Sequence, residues 1–219
     1  MTEPTLDTPQ AGRLSGGIAA LMSSNVIGAV LAFVLSVLIG RAAGETGLGI
    51  YAASVTWVFP LALLVDAGVG TLISRDLADP RAPSSRAYLR AALIARFVIG
   101  LPVMVLLIVA APLLAGSPDV ATGIAISAPL VILTPLVGAF TAVFRANRRM
   151  RPAAMLNVGM LLSQVVLTII VFAAGSGVVG ALWVNLLTTA GQFAAAFLIW
   201  RGQFAETSDD GRTVDVREL

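Results

Sequence analysis

Asp66 lies in an apolar run, Ile50–Ile73, that holds no other charged residue, and of the 26 charged side chains it alone sits well inside such a run. A carboxylate at membrane depth costs about 2.5–3.5 kcal/mol on insertion scales, so its position asks for a reason. In a helix, Asp66 lies about seven residues, or about 10 Å, from the end of its run. Asn25, on the preceding run, stands about nine residues from its own start, at similar depth. Two roles are open to Asp66. In a water-filled cavity, with Asn25 beside it, it binds a proton, a cation or a substrate hydroxyl; between helices, neutral or hydrogen-bonded, it orders the bundle. A second pattern is a spacing of seven: Ser127, Thr134 and Thr141; Asn157 and Gln164; Asn185 and Gln192. Each set lines one face of a helix. Thr168 extends the second set, and Thr188 and Thr189 fill in the third. Such faces either line a hydrophilic cavity able to hold sugar hydroxyls or act as interhelical glue worth about 0.6–2 kcal/mol per residue.

Most other chemistry is missing. There is no Cys and no His, which removes disulfides, thiol nucleophiles and imidazole proton transfer, together with the usual zinc and haem ligands. All 14 basic residues are Arg, so lysine-base and Schiff-base mechanisms are absent. The sequence has no D-x-x-D-G metal cluster, and Ser176, in Gly175-Ser176-Gly177, has no base in sight. The expectation is a protein that is not an enzyme and carries no metal or cofactor.

The elements that must position these residues follow from composition. The chain of 219 residues is 58% hydrophobic and 12% charged, with a mean hydropathy of +0.93, whereas soluble domains have about a quarter charged residues. Its apolar residues run unbroken, without the alternation of a membrane barrel. Six runs are long enough to cross a bilayer: Gly16–Ile39, Ile50–Ile73, Phe97–Ala115, Val120–Phe144, Ala153–Ala174 and Val178–Trp200. The expected fold is an all-α integral membrane bundle of six helices over residues 16–200, between polar cytoplasmic tails at 1–15 and 201–219. The first run is too long for a signal peptide and follows Glu3 and Asp7, so it reads as an uncleaved anchor. Span three has no polar face and reads as packing or lipid-facing. Pro60, Pro102, Pro112, Pro129 and Pro135 fall within spans, where kinks are tolerated.

The arginines set the orientation. Thirteen fall on one side: Arg13; Arg75, Arg81, Arg86 and Arg90, with Arg96 at the start of span three; Arg145, Arg148, Arg149 and Arg151; and Arg201, Arg212 and Arg217. Arg41 alone is on the other. This asymmetry places both termini in the cytoplasm. The net charge of +2 and pI near 9.9 therefore report topology and membrane lipids rather than nucleic acid. The loops Gly116–Asp119 and Gly175–Gly177 make tight hairpins. Ser74–Arg90 reads as a surface segment with a short interfacial helix after Pro83. Arg145, Arg148, Arg149 and Arg151 form a cluster suited to a lipid diphosphate or to anionic headgroups in general.

Gly40-Arg41-Ala42-Ala43-Gly44 followed by Leu48-Gly49-Ile50-Tyr51-Ala52 resembles the G-R-x-x-G-x-x-x-[FL]-G-x-Y-A signature of polysaccharide transporters and oligosaccharide flippases. Asp66-Ala67-Gly68 and Ser74-Arg75-Asp76-Leu77-Ala78 resemble its D-x-G and R-[DE]-[LI]-A continuation. Glu45 stands where Pro is frequent and Leu48 where Phe is usual. The resemblance is to the multidrug/oligosaccharidyl-lipid/polysaccharide exporter superfamily. It implies a bacterial plasma-membrane protein that moves polyprenyl-diphosphate-linked glycans by alternating access without ATP hydrolysis. It also implies structural roles for Gly40, Arg41, Gly44, Gly49, Tyr51, Gly68 and Arg75, with Arg41 pinning the turn between the first two spans. Family members generally use twelve or more spans in two lobes, so the chain is expected to be one lobe, completed by a second-half chain or a homodimer. A cation-coupled multidrug exporter half and a truncated, non-transporting fragment are the alternatives. Asp66→Ala or Asp66→Asn is expected to leave insertion intact and to lower export.

Overall fold

The computed structural model describes residues 8–66, 85–147 and 150–204. It consists of α1 (Thr8–Thr56), α2 (Val58–Asp66), α3 (Ser85–Leu114), α4 (Pro118–Ser127), α5 (Leu130–Ala146), α6 (Met150–Ala173) and α7 (Gly177–Phe204), with no strand among the described residues. Five helical stretches are long and apolar enough to cross a membrane: Met22–Asp66, Leu89–Leu114, Pro118–Ala146, Met150–Ala173 and Gly177–Gly202. The first, at 45 residues, takes in most of each of the first two expected spans, so the expected six appear here as five stretches. The last three agree with expectation, the third of the five being α4 and α5 in succession.

The 45-residue stretch is broken at Gly44, whose φ of 72° and ψ of −177° lie in a region open essentially to glycine alone. A Cβ at Gly44 meets no atom within 4 Å, so the constraint there is backbone conformation and nothing else. Gly44→Ala is expected to lower stability by about 1–3 kcal/mol, read as a shift in the unfolding midpoint of the detergent-solubilised protein. An unchanged midpoint would mean that the bend relaxes without strain. The flanking Gly40 lies close to the far side of the bend, because a Cβ there would stand 3.4 Å from Leu48 Cδ2. Beyond it, Leu35, Ile39, Leu48 and Tyr51 pack with Val165, Phe172 and Ala181.

The other turns are built from capping residues. Ser117 caps α4, its Oγ accepting from the Val120 N–H, with Pro118 at the first helical position and Asp119 in the first turn. Gly175 and Gly177, at φ 77° and 59°, carry the tight turn between α6 and α7.

Helix α5 is deeply buried, with most of its side chains enclosed. It packs against α2, α3, α6 and α7. Phe140 on α5 is fully buried and meets Phe193, Phe197 and Trp200 of α7 edge-on at 5.7, 6.4 and 6.3 Å between ring centres. Small residues let backbones approach elsewhere. A Cβ on Gly28 of α1 would touch Asn157 and Leu161 of α6 at 3.3 Å, and one on Gly123 of α4 would collide with Ser54 of α1. The outward surface is strongly apolar, with Phe33, Val98, Leu106, Val109 and Leu113 all well exposed. An apolar exterior over a tight, partly polar interior suits a bilayer as solvent.

One expectation is corrected here. Ser85–Arg90 is not a separate interfacial helix but the first turns of α3, which starts twelve residues before the expected span three and runs through Arg90 and Arg96 without a break. Pro83 and the rest of 67–84 lie outside the described residues.

Candidate functional site

A cavity of about 930 Å³ opens within the bundle, walled by every described helix except α4. Its polar lining comes from Asn25 of α1, Asp66 of α2 and Arg96 of α3; Thr134, Thr141 and Arg145 of α5; and Asn157 of α6 with Asn185, Thr189 and Gln192 of α7. Apolar side chains such as Phe59, Leu63 and Leu161 fill the spaces between them. This mixture of amide and hydroxyl groups on an apolar wall can hydrogen-bond a ligand rich in hydroxyls while giving its carbon faces something to lie against.

Asp66 does not stand alone. Arg96 donates from Nε to Asp66 Oδ1 at 3.0 Å, and its Nη2 donates to the same oxygen. The guanidinium is fully buried, whereas the carboxylate is 34% exposed. The sequence places Arg96 with the flanking cytoplasmic arginines; the structure places it inside the bundle, eleven residues along α3. A buried guanidinium needs a counter-charge, since an unpaired ion in a low-dielectric interior costs several kcal/mol. Asp66 supplies it. Span three therefore contributes a polar residue after all. The readable signal was Ala91–Ala95, as apolar as the residues after Arg96, together with an intramembrane acid lacking a partner.

The seven-residue faces divide. Asn157 is half-buried at the cavity, but Gln164, on the same face of α6, is buried, and its Nε2 donates to the Tyr51 hydroxyl at 3.4 Å. Thr168 is buried too. Gln164 therefore joins α6 to α1, and its expected place in the cavity is corrected. Ser127 is likewise buried in packing, since the chain changes from α4 to α5 at Ala128 and Pro129, whereas Thr134 and Thr141 face the cavity. On α7, Asn185, Thr189 and Gln192 stay at the cavity. There the Thr188 and Thr189 hydroxyls donate back to the Asn185 carbonyl at 3.1 and 2.9 Å, and Gln192 Nε2 reaches the Leu156 carbonyl at 3.4 Å.

Of the expected arginine cluster, Arg145 reaches the cavity from the last turn of α5, where a cation suits the helix C-terminus. Arg151 is exposed in the first turn of α6 and does not line the cavity. Arg148 and Arg149 lie outside the described residues, as do Gly68 and Arg75. Among the signature residues, Tyr51 is engaged by Gln164 and Gly44 makes the bend. Gly49 is exposed with open space around it. Arg41 is exposed beside the bend, and no hydrogen bond to a described residue is seen for it.

Residues 14–217 match the polysaccharide biosynthesis protein family. The chain belongs to that family. It is the family of polysaccharide transporters and flippases that the Gly40–Tyr51 signature implies, and the match runs from within α1 to beyond the end of α7. With five helical stretches able to cross a bilayer, this member of the polysaccharide biosynthesis family is a multi-pass membrane protein. No curated protein and no solved structure matches the chain.

Proposed function

We propose that this chain is a lobe of a flippase for lipid-linked oligosaccharides, working by alternating access without ATP hydrolysis and completed by a second-half chain or a second copy. The observation that carries the reading is the cavity of about 930 Å³ lined by Asn25, Asn157, Asn185 and Gln192, in a polysaccharide-family bundle whose outer surface is apolar. The amides meet sugar hydroxyls of a polyprenyl-diphosphate-linked glycan, and Arg145 at the end of α5 draws its diphosphate in. The pairing of Asp66 with Arg96 favours this over cation-coupled drug efflux, because the carboxylate already has a counter-charge.

The reading includes six crossings. The stretch Met22–Asp66 would reach about 67 Å at 1.5 Å per residue, more than twice a hydrocarbon core of about 30 Å. Yet Asn25 and Asp66, near its two ends, line one cavity, as they do when the chain doubles back at Gly44. Arg145 and Arg201, in the last turns of their helices, then face the cytoplasm together with both termini.

The double substitution Asn157→Leu/Asn185→Leu removes two amides that face the cavity, at similar volume. In cells whose glycan export depends on this chain, export is expected to fall about tenfold or more, the loss of one or two hydrogen bonds in a desolvated site. Protein level in the membrane is the control. Export at the original rate with normal protein level would sink the cavity assignment.

A further inference from the structure

The Arg96 guanidinium is only partly satisfied. Nε and Nη2 share Asp66 Oδ1, while Nη1, buried, has no hydrogen-bond partner among the described residues. Guanidinium carries five N–H donors in a fixed planar fork, and a buried donor without an acceptor loses its full hydration. Asp66 occupies only the Nε/Nη2 edge, so the Nη1 side of the fork is open to a second acceptor. Arg96 borders the cavity from behind Asp66, with no surface of its own open to it, and the described charged groups there are Asp66, Arg96 and Arg145, an excess of one positive charge. Asp66 is the partner in contact with open space, and Arg96 is the one enclosed.

We propose that Arg96 is an anion subsite held closed by Asp66: phosphate oxygens of the substrate take the Arg96 fork, Nη1 included, and Asp66 gives up its place on Nε and Nη2. This deepens the flippase reading and rests on it for the nature of the ligand. The exchange swaps one anion for another, so the buried guanidinium is never left without a counter-charge. Asp66, already partly exposed, hydrates in the cavity once released. A neutral sugar cannot take this place, because it cannot neutralise the arginine. The subsite therefore distinguishes a phosphate-bearing ligand from a free glycan, and Asp66 sets the affinity that the ligand must exceed.

The test is calorimetric titration of the purified full chain in neutral detergent with inorganic pyrophosphate. Asp66→Asn keeps an oxygen that accepts from Arg96 but removes the competing charge; pyrophosphate is expected to bind it about tenfold more tightly than the original protein. Adding Arg96→Gln should weaken that binding at least tenfold. Arg96→Gln alone, whose amide still donates to the half-exposed Asp66, guards against misfolding of Asp66→Asn and should weaken binding about tenfold. Equal or weaker binding by Asp66→Asn overturns the competition, and binding indifferent to Arg96→Gln in either background overturns the subsite. No glycan or export enters these measurements. A chain that drives export yet binds pyrophosphate without regard to Arg96 sinks only this inference, while arginine-dependent binding in a chain that export does not need sinks only the flippase reading.

Discussion

Asp66→Ala is expected to destabilise the folded bundle by about 3–5 kcal/mol, the effect of leaving a buried charge without its partner. The partners are unequal. Arg96 is fully enclosed, and without Asp66 it has no described counter-charge. Asp66 is 34% exposed, so Arg96→Met leaves a carboxylate that water in the cavity can still reach, and the loss should be clearly smaller. The double variant Asp66→Ala/Arg96→Met should recover most of the stability lost by Asp66→Ala, because an apolar pair of similar volume replaces the ions. Unfolding midpoints of the four proteins in a mixed detergent series measure this cycle. Equal losses from the two single variants, or no recovery in the double, would show that the pair is not what settles this part of the bundle. The result also revises what is expected of the two substitutions at this position: alanine tests the fold, and asparagine, which keeps an acceptor, tests the charge.

The second large effect is at the contact between α1 and α4. A Cβ on Gly123 would lie 1.9 Å from Ser54 Oγ and 2.8 Å from Ser54 Cβ, distances at which one of the helices must move. Ser54 cannot turn aside at no cost, since it is fully buried and its hydroxyl donates to the Ile50 carbonyl at 2.7 Å. Gly123→Ala is therefore expected to cost about 1–3 kcal/mol by overpacking, and Ser54→Gly in the same chain should return most of it. A coupling near zero between the two substitutions would mean that the close approach does not hold the helices together. This contact is separate from the cavity, which α4 does not line, so loss of export in Gly123→Ala should follow loss of folded protein.

Long unbroken apolar runs made the membrane helices readable, because a bilayer-spanning segment must satisfy its backbone internally whatever surrounds it. The bend at Gly44 was readable as part of a motif, though only its φ and ψ show why glycine is required there. Asp66 and Asn25 were legible from depth alone, and the structure brings both to one cavity. Arg96 was not, for a physical reason: the positive-inside pattern assigns arginines near span ends to the flank, and only the packing of α2 against α3 shows that this one turns inward to an acid. The equal spacing of Asn157 and Gln164 was also insufficient. A helix face keeps its direction, but its neighbour changes as helices cross. Seven residues along α6, the same face passes from the cavity to Tyr51 of α1.

The burial of Arg96 bears on how the chain enters a membrane. An arginine or an aspartate carried alone to mid-bilayer costs about 2.5–3.5 kcal/mol. Asp66 closes α2 and Arg96 lies eleven residues into α3, with residues 67–84 between the two helices. Each is a poor passenger by itself, and together they are a neutral one. Entry of α2 and α3 as a pair would spare the chain the cost that either charge meets alone.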